Sequence, residues 1–186
     1  MSNFETAYKI LMQREFSNNP DLFVHKNKKE NGLTIAGLYQ KWNPKTIDWD
    51  FVERVIKMVD NNLVIASNML IKDVRIQSQI ITGFKEIYWS KYRLGEIVNQ
   101  NTANELFISI TNIGGRNAVK LAQQLIGAKE DGILGSNTIK ALNDFDPLVF
   151  DREFDLIEIE NYENIARRNP ELSHNLKGWK NRSKAV

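Results

Sequence analysis

Apolar residues recur at helical spacing over most of the chain, and that rhythm sets the expected elements. Phe4, Ala7, Tyr8, Leu11 and Met12 keep one face apolar, so residues 3 to 15 read as a helix. Ser2 and Glu5 precede it in capping-box register, the hydroxyl serving an orphan amide and the carboxylate reaching back. From Ser17 to Gly37 the rhythm collapses into Asn, Asp, Pro, Lys and Gly around a short apolar run, Leu22-Phe23-Val24. Gly32 and Gly37 punctuate that stretch, which predicts a loop carrying one small β-hairpin near residues 22–39. Helical spacing returns over 50–59 and 63–71, and again along Ile76, Ile80, Phe84, Ile87 and Tyr88 in a helix reaching Tyr92. Thr102 and Glu105 repeat the capping-box signal and open a helix that stops near Gly114-Gly115. Ala118, Leu121, Ala122 and Leu125 mark the next helix, over 116–126. Ser136 caps a short one at 137–143, and a long last helix at 147–168 ends before Pro170. The expected fold class is therefore mainly α with one minor hairpin. No linker or repeat interrupts it, so regions 1–95 and 96–186 are expected to pack as one compact body.

Composition narrows the chemistry. The chain has no cysteine, which removes disulfides, a thiol nucleophile and thiolate metal sites. Its two histidines, His25 and His174, lie far apart without ligand-type spacing, so no metal is expected and both read as surface residues. A net charge of +2 gives no electrostatic argument for nucleic acid. No stretch reaches the roughly 18 apolar residues needed to cross a bilayer, so membrane insertion is not expected. The first residues lack the basic and apolar regions of a secretory signal. The expectation is synthesis in the cytoplasm, with any target elsewhere reached by another route, and a monomer working without a cofactor. Chemistry is left to carboxylates, hydroxyls and amides.

Charge is uneven towards the end. Residues 141–164 hold eight acids against Arg152, and residues 165–186 hold six bases against Glu171. Two readings stand: mutual neutralisation with a solvated tail, or a basic patch (Arg167, Arg168, Lys177, Lys180, Arg182) facing an anionic polymer.

One carboxylate is singled out by position. Glu15 lies eleven residues after Phe4, which at about 100° per residue returns it almost to the apolar stripe. Partial desolvation and the helix dipole in the last turn both favour the protonated acid, as a general acid requires. The alternative is a glutamate frayed off the helix end and paired with Arg14 or a lysine.

The residues around Glu15 resemble the glycoside hydrolase family 108 lysozyme-like N-acetylmuramidases of phages and bacteria, sometimes labelled secretion activators. Their pattern runs from a helix ending in Glu-Gly-Gly to Gly-Gly-x-Thr-Asn-x-Gly-Ile-Thr; Glu15, Gly32, Thr34 and Gly37 match it. Both glycines after the glutamate, the first hairpin glycine and the asparagine do not match, since Phe16, Ser17, Asn31 and Ile35 stand there. Tyr88-Trp89 is similar to the family's Tyr-Trp at a helix end, and Asn112-Ile113-Gly114 to its Asn-Ser-Gly. The second half resembles the peptidoglycan-binding region that usually follows. Ala118 to Leu125, Asp131-Gly132-Ile133-Leu134-Gly135, Thr138 and Ala141-Leu142 carry that likeness, with Gly178-Trp179 and Arg182 near the end.

The resemblance implies a peptidoglycan hydrolase of lysozyme-like fold whose partner is the glycan strand. Glu15 would protonate the glycosidic oxygen beside an oxocarbenium-like centre. Thr34 would hold a water across the cleft, or simply fill a strand. The second carboxylate stays open: Lys29 occupies the usual aspartate position, Glu30 is one step off, and Asp21 is the other acid in reach. Trp89, rotated off the Ile76–Phe84 stripe, is the better cleft aromatic, while Tyr88 continues the stripe and fits the core or the substrate. Asn112 either offers its amide to substrate or caps its helix. Trp42 and Trp49 flank Asn43-Pro44 and read as a staple; Trp179 reads as a dock for the tail. Two other functions remain: a non-catalytic wall-binding or secretion-assisting protein that keeps the fold, and an intracellular interaction module using the charged ends.

Overall fold

Caps, rather than propensity alone, fix where the helices begin. A computed structural model describes residues 1–16, 19–26 and 32–183, without the side chains of Glu15, Phe16 and Arg182. Among the described residues the helices are α1 (Phe4–Phe16), α2 (Trp49–Met58), α3 (Leu63–Leu70), α4 (Val74–Phe84), α5 (Gln100–Ile113), α6 (Gly115–Leu125), α7 (Ser136–Asp144), α8 (Pro147–Arg168) and α9 (Leu176–Ser183). Asp48, Asn62, Asp73, Asn99 and Asp146 each accept amide hydrogens in the first turn of the helix they precede.

Both capping-box assignments are corrected. At α1 the oxygen that accepts from the Thr6 amide, at 3.0 Å, belongs to Asn3, while the Ser2 hydroxyl donates to the Leu94 carbonyl at 2.7 Å. At α5 the cap is Asn99, three residues earlier than expected; Thr102 lies inside the helix and Glu105 is buried. Asx side chains compete well for these positions, and a box pattern one turn into a helix reads the same in sequence. Gly135, without a side-chain cap, precedes α7 in place of the expected Ser136.

The chain divides into two units, Met1–Ala7 with Tyr88–Val186, and Tyr8–Ile87. In the Tyr8–Ile87 unit the expected hairpin is a three-stranded antiparallel sheet in the order β1 (Val24–His25), β2 (Thr34–Ile35), β3 (Leu38–Tyr39). Val24, Ile35 and Leu38 face each other across it and are essentially inaccessible. Gly83 of α4 gives room for the Thr46 methyl, and a Cβ there would collide with it. The buried Ser67 hydroxyl accepts from the Val24 amide at 2.9 Å and donates to the Val24 carbonyl at 3.2 Å, serving the outer edge of β1 from α3.

In the other unit α5 forms the centre. Thr102 through Ile110 are all buried, as befits a helix covered on every side. α6 and α8 pack on it, and α9 packs on α8. Gly115, at the start of α6, has no room for a Cβ because the Tyr92 ring lies against it. Among the described residues no helix is long and apolar enough to cross a membrane.

Candidate functional site

The end of α1 and the sheet after it carry two of the residues singled out in the sequence. α1 runs to Phe16, so the Glu15 backbone sits in its last turn; the Glu15 side chain and Glu30 lie outside the described residues. Thr34, on β2, pairs with His25 on one side and Tyr39 on the other. Cross-strand partners share a face, so these three form a row opposite the apolar Val24–Ile35–Leu38 row. Thr34 is 6% exposed, and its hydroxyl makes no hydrogen bond among the described residues. Asp21 has a partner: the Asn68 side-chain amide donates to its carboxylate at 2.7 Å. On α1, Tyr8 packs against Phe84 with ring centroids 5.6 Å apart, and burial pushes its phenol up to about 12. Gln40 holds the sheet edge: its carbonyl accepts from the Leu33 amide and its amide donates to Glu53, both at 3.1 Å. These two side chains, with Lys26 and Lys57, line a cavity of about 260 Å³.

The remaining predicted residues lie in the other unit, and there the aromatic pair exchanges places. Trp89 is 6% exposed, edge-on to Phe4 and Phe107 with centroids 5.8 and 5.7 Å away. It is a core residue rather than the cleft aromatic its phase suggested, whereas Tyr88 is half-buried. The cause is backbone: Lys85–Ser90 is π-helix, whose i→i+5 bonding shifts the phase of side chains beyond Phe84. Burial first, and then the neighbouring Tyr92 phenol, push the Tyr88 hydroxyl above its ordinary value. Asn112 is half-buried near the end of α5, and its amide makes no hydrogen bond among the described residues.

Sequence reasoning also marked Asp131-Gly132 and Thr138, and the structure shows why they occur together. Gln123 is fully buried. Its amide nitrogen lies 3.0 Å from Asp131, 3.1 Å from the Ile133 carbonyl and 3.2 Å from the Thr138 hydroxyl, and its oxygen accepts from the Gly132 amide at 2.8 Å. Gly132 has φ +73°, and a Cβ there would lie 2.9 Å from the Arg116 carbonyl oxygen, so only glycine fits. The hydrogen bond from Gln123, then that from the Ile133 amide, holds the Asp131 carboxyl below its usual range. The pattern is thus a folding device, and an open cavity of about 510 Å³ lies beside it, lined by Lys129, Ser136 and Asn137. At the chain end, Trp179 stacks on Tyr162 of α8 at 5.3 Å, docking α9 as expected. Lys180 is ion-paired with Glu163, which supports mutual neutralisation at that point.

Of the two residues expected to staple the Asn43-Pro44 turn, only Trp49 does so. Its indole donates to the Asn43 carbonyl at 2.8 Å, while Trp42 is 78% exposed. Among the described residues no cluster of three metal-ligating side chains occurs.

Residues 117–184 match a protein family described as "Predicted Peptidoglycan domain", which relates that region of the chain to peptidoglycan. Comparison with curated proteins finds no significant match. Among solved structures the chain is similar to Brucella abortus SagA, with a TM-score of 0.60 and 14% identity over 97% of this chain and 92% of that one. At that identity the likeness concerns the fold alone.

Proposed function

We propose that this protein is a peptidoglycan hydrolase of lysozyme-like fold, an N-acetylmuramidase of endolysin type that uses Glu15 as general acid. The observation that carries the reading is the peptidoglycan-domain match over 117–184. A glutamate whose backbone sits in the last turn of α1, and the Thr34 hydroxyl, which makes no hydrogen bond among the described residues, both in the Tyr8–Ile87 unit, support the catalytic part. Glu15 delivers a proton to the glycosidic oxygen as positive charge develops at the anomeric carbon. Thr34 holds the attacking water. Catalysis belongs to the region within 1–95, where Tyr88 contacts substrate, and wall binding to that within 96–186, where the half-buried Asn112 does.

A non-catalytic wall-binding role is the second reading. Two observations favour it: Asp21 is engaged by Asn68, and Lys29 stands where the resembled family has an aspartate. Mass spectrometry of purified peptidoglycan after incubation decides between them. Reducing muramic ends support hydrolysis, anhydro ends reassign the chemistry to lytic transglycosylation, and uncut strands leave wall binding alone.

A further inference from the structure

Trp42 is an aromatic ring held out in water on a rigid support. The turn beneath it is closed by the Trp42 and Asn43 amides and the Asn43 side-chain amide, which all donate to the Tyr39 carbonyl at 3.0–3.1 Å. The Asn43 carbonyl is in turn fixed by the Trp49 indole. The backbone is therefore pinned, while the indole stays 78% exposed and makes no hydrogen bond among the described residues. Its one ring contact among them is the edge of Tyr39, with centroids 5.4 Å apart at 83°.

Tyr39 continues directly into the row described above. It lies opposite Thr34, which lies opposite His25. Its ring packs over Gly32, where a Cβ would sit 3.1 Å from it, and its hydroxyl has no partner among the described residues. The His25 Nδ1–H donates to the Leu22 carbonyl at 3.0 Å, which fixes the ring on the same row. The row thus carries the Tyr39 and His25 rings on either side of the buried Thr34 hydroxyl, with the Trp42 ring beyond Tyr39.

We propose that Trp42 and Tyr39 form a saccharide-stacking subsite for an N-acetylhexosamine ring of the glycan strand, placed along the sheet from Thr34. This rests on the peptidoglycan reading above and names where the strand lies in the Tyr8–Ile87 unit. A pyranose offers an apolar C–H face rimmed by hydroxyl and acetamido groups. An exposed indole matches that face, and the Tyr39 hydroxyl beside it matches the rim. The pinned turn reduces the ordering cost of binding, since only the side chain has to settle.

The test uses the full chain with two soluble probes, a hexamer of N-acetylglucosamine and peptide-free glycan strands, read by calorimetry. Trp42→Ala is expected to weaken binding by about tenfold or more and Trp42→Phe by only about threefold, because an aromatic face remains. Both variants should keep the wild-type unfolding midpoint. Equal affinity of wild type and Trp42→Ala overturns the subsite, as does a wild type that binds neither probe, or a Trp42-dependent dimer in sedimentation. The hydrolase reading fails separately. A wild type that never cuts peptidoglycan yet binds these glycans through Trp42 leaves the subsite standing. One that cuts normally with Trp42 removed leaves the hydrolase without it.

Discussion

Trp42 and Trp179 sit in different units and show what the fold does with the same side chain. Trp179 lies nearly parallel to Tyr162, at 25°, and its helix is tied to α8 by the Lys180–Glu163 pair. Among the described residues Trp42 meets one ring, edge-on, and stays 78% exposed. The C-terminal region consumes its aromatic and charged groups internally: Gln123 occupies Asp131 and Thr138, and Glu163 occupies Lys180. The sheet region leaves the side-chain polar groups of Thr34, Tyr39 and Trp42 without hydrogen-bond partners among the described residues. Groups already satisfied by the protein have little to gain from a ligand; unsatisfied ones on a fixed backbone do.

That contrast breaks first at Glu15. Replacing it with Gln keeps size and reach but removes the proton, so lysis of purified walls should fall at least about a hundredfold. Turbidity clearing measures it, and a wild-type rate in the variant ends the assignment. Next comes the tryptophan pair itself. Trp179→Ala should cost about 2 kcal/mol in denaturant unfolding, since it removes a stacked ring and loosens α9. Trp42→Ala should stay within about 0.5 kcal/mol. Equal losses would erase the distinction between the two regions. Gly115→Ala should cost about 1–2 kcal/mol because the added methyl meets the Tyr92 ring. Trimming that ring in a Tyr92→Leu background should recover part of the loss.

The smallest effect concerns acid. The Lys180 hydrogen bond, Lys180's charge and then Arg167 hold the Glu163 carboxyl below its usual range. A depressed folded-state value adds stability above the unfolded value of about 4.3 and loses it as pH falls through the folded one. Lys180→Met should therefore flatten the drop in unfolding midpoint between about pH 5 and pH 3, slightly, because the pair faces solvent. An unchanged acid profile would show that the pair contributes nothing.

Much of the helical scaffold was legible because its apolar stripes are long. The helix expected at 147–168 is α8, Pro147–Arg168, and 50–59 and 63–71 correspond to α2 and α3. What misled were local features that periodicity does not encode. A π-helical turn at Lys85–Ser90 moved Trp89 into the core, and no residue type there announces the extra residue per turn. Short side chains chose the caps, and Asn3 and Asn99 won over hydroxyls one to three positions away. At the candidate site, Thr34 was singled out through a family resemblance, and its role is the one proposed above. The exposure of Trp42 was not, since a tryptophan beside Asn-Pro reads equally as a staple. Only the Trp49 indole, reaching the Asn43 carbonyl first, shows that the staple position was already filled.

Ser67 makes the sheet edge depend on a non-local contact. Strand β1 is two residues long, and the outward amide and carbonyl of Val24 are both served by a hydroxyl 43 positions further along the chain. Until α3 forms and closes that loop, the edge of β1 stays hydrated and cannot be buried without loss. The native sheet edge thus depends on a non-local contact, of the kind that slows folding. In the folded chain the same hydroxyl occupies the Val24 amide and carbonyl, which blanks that edge against strands of neighbouring molecules.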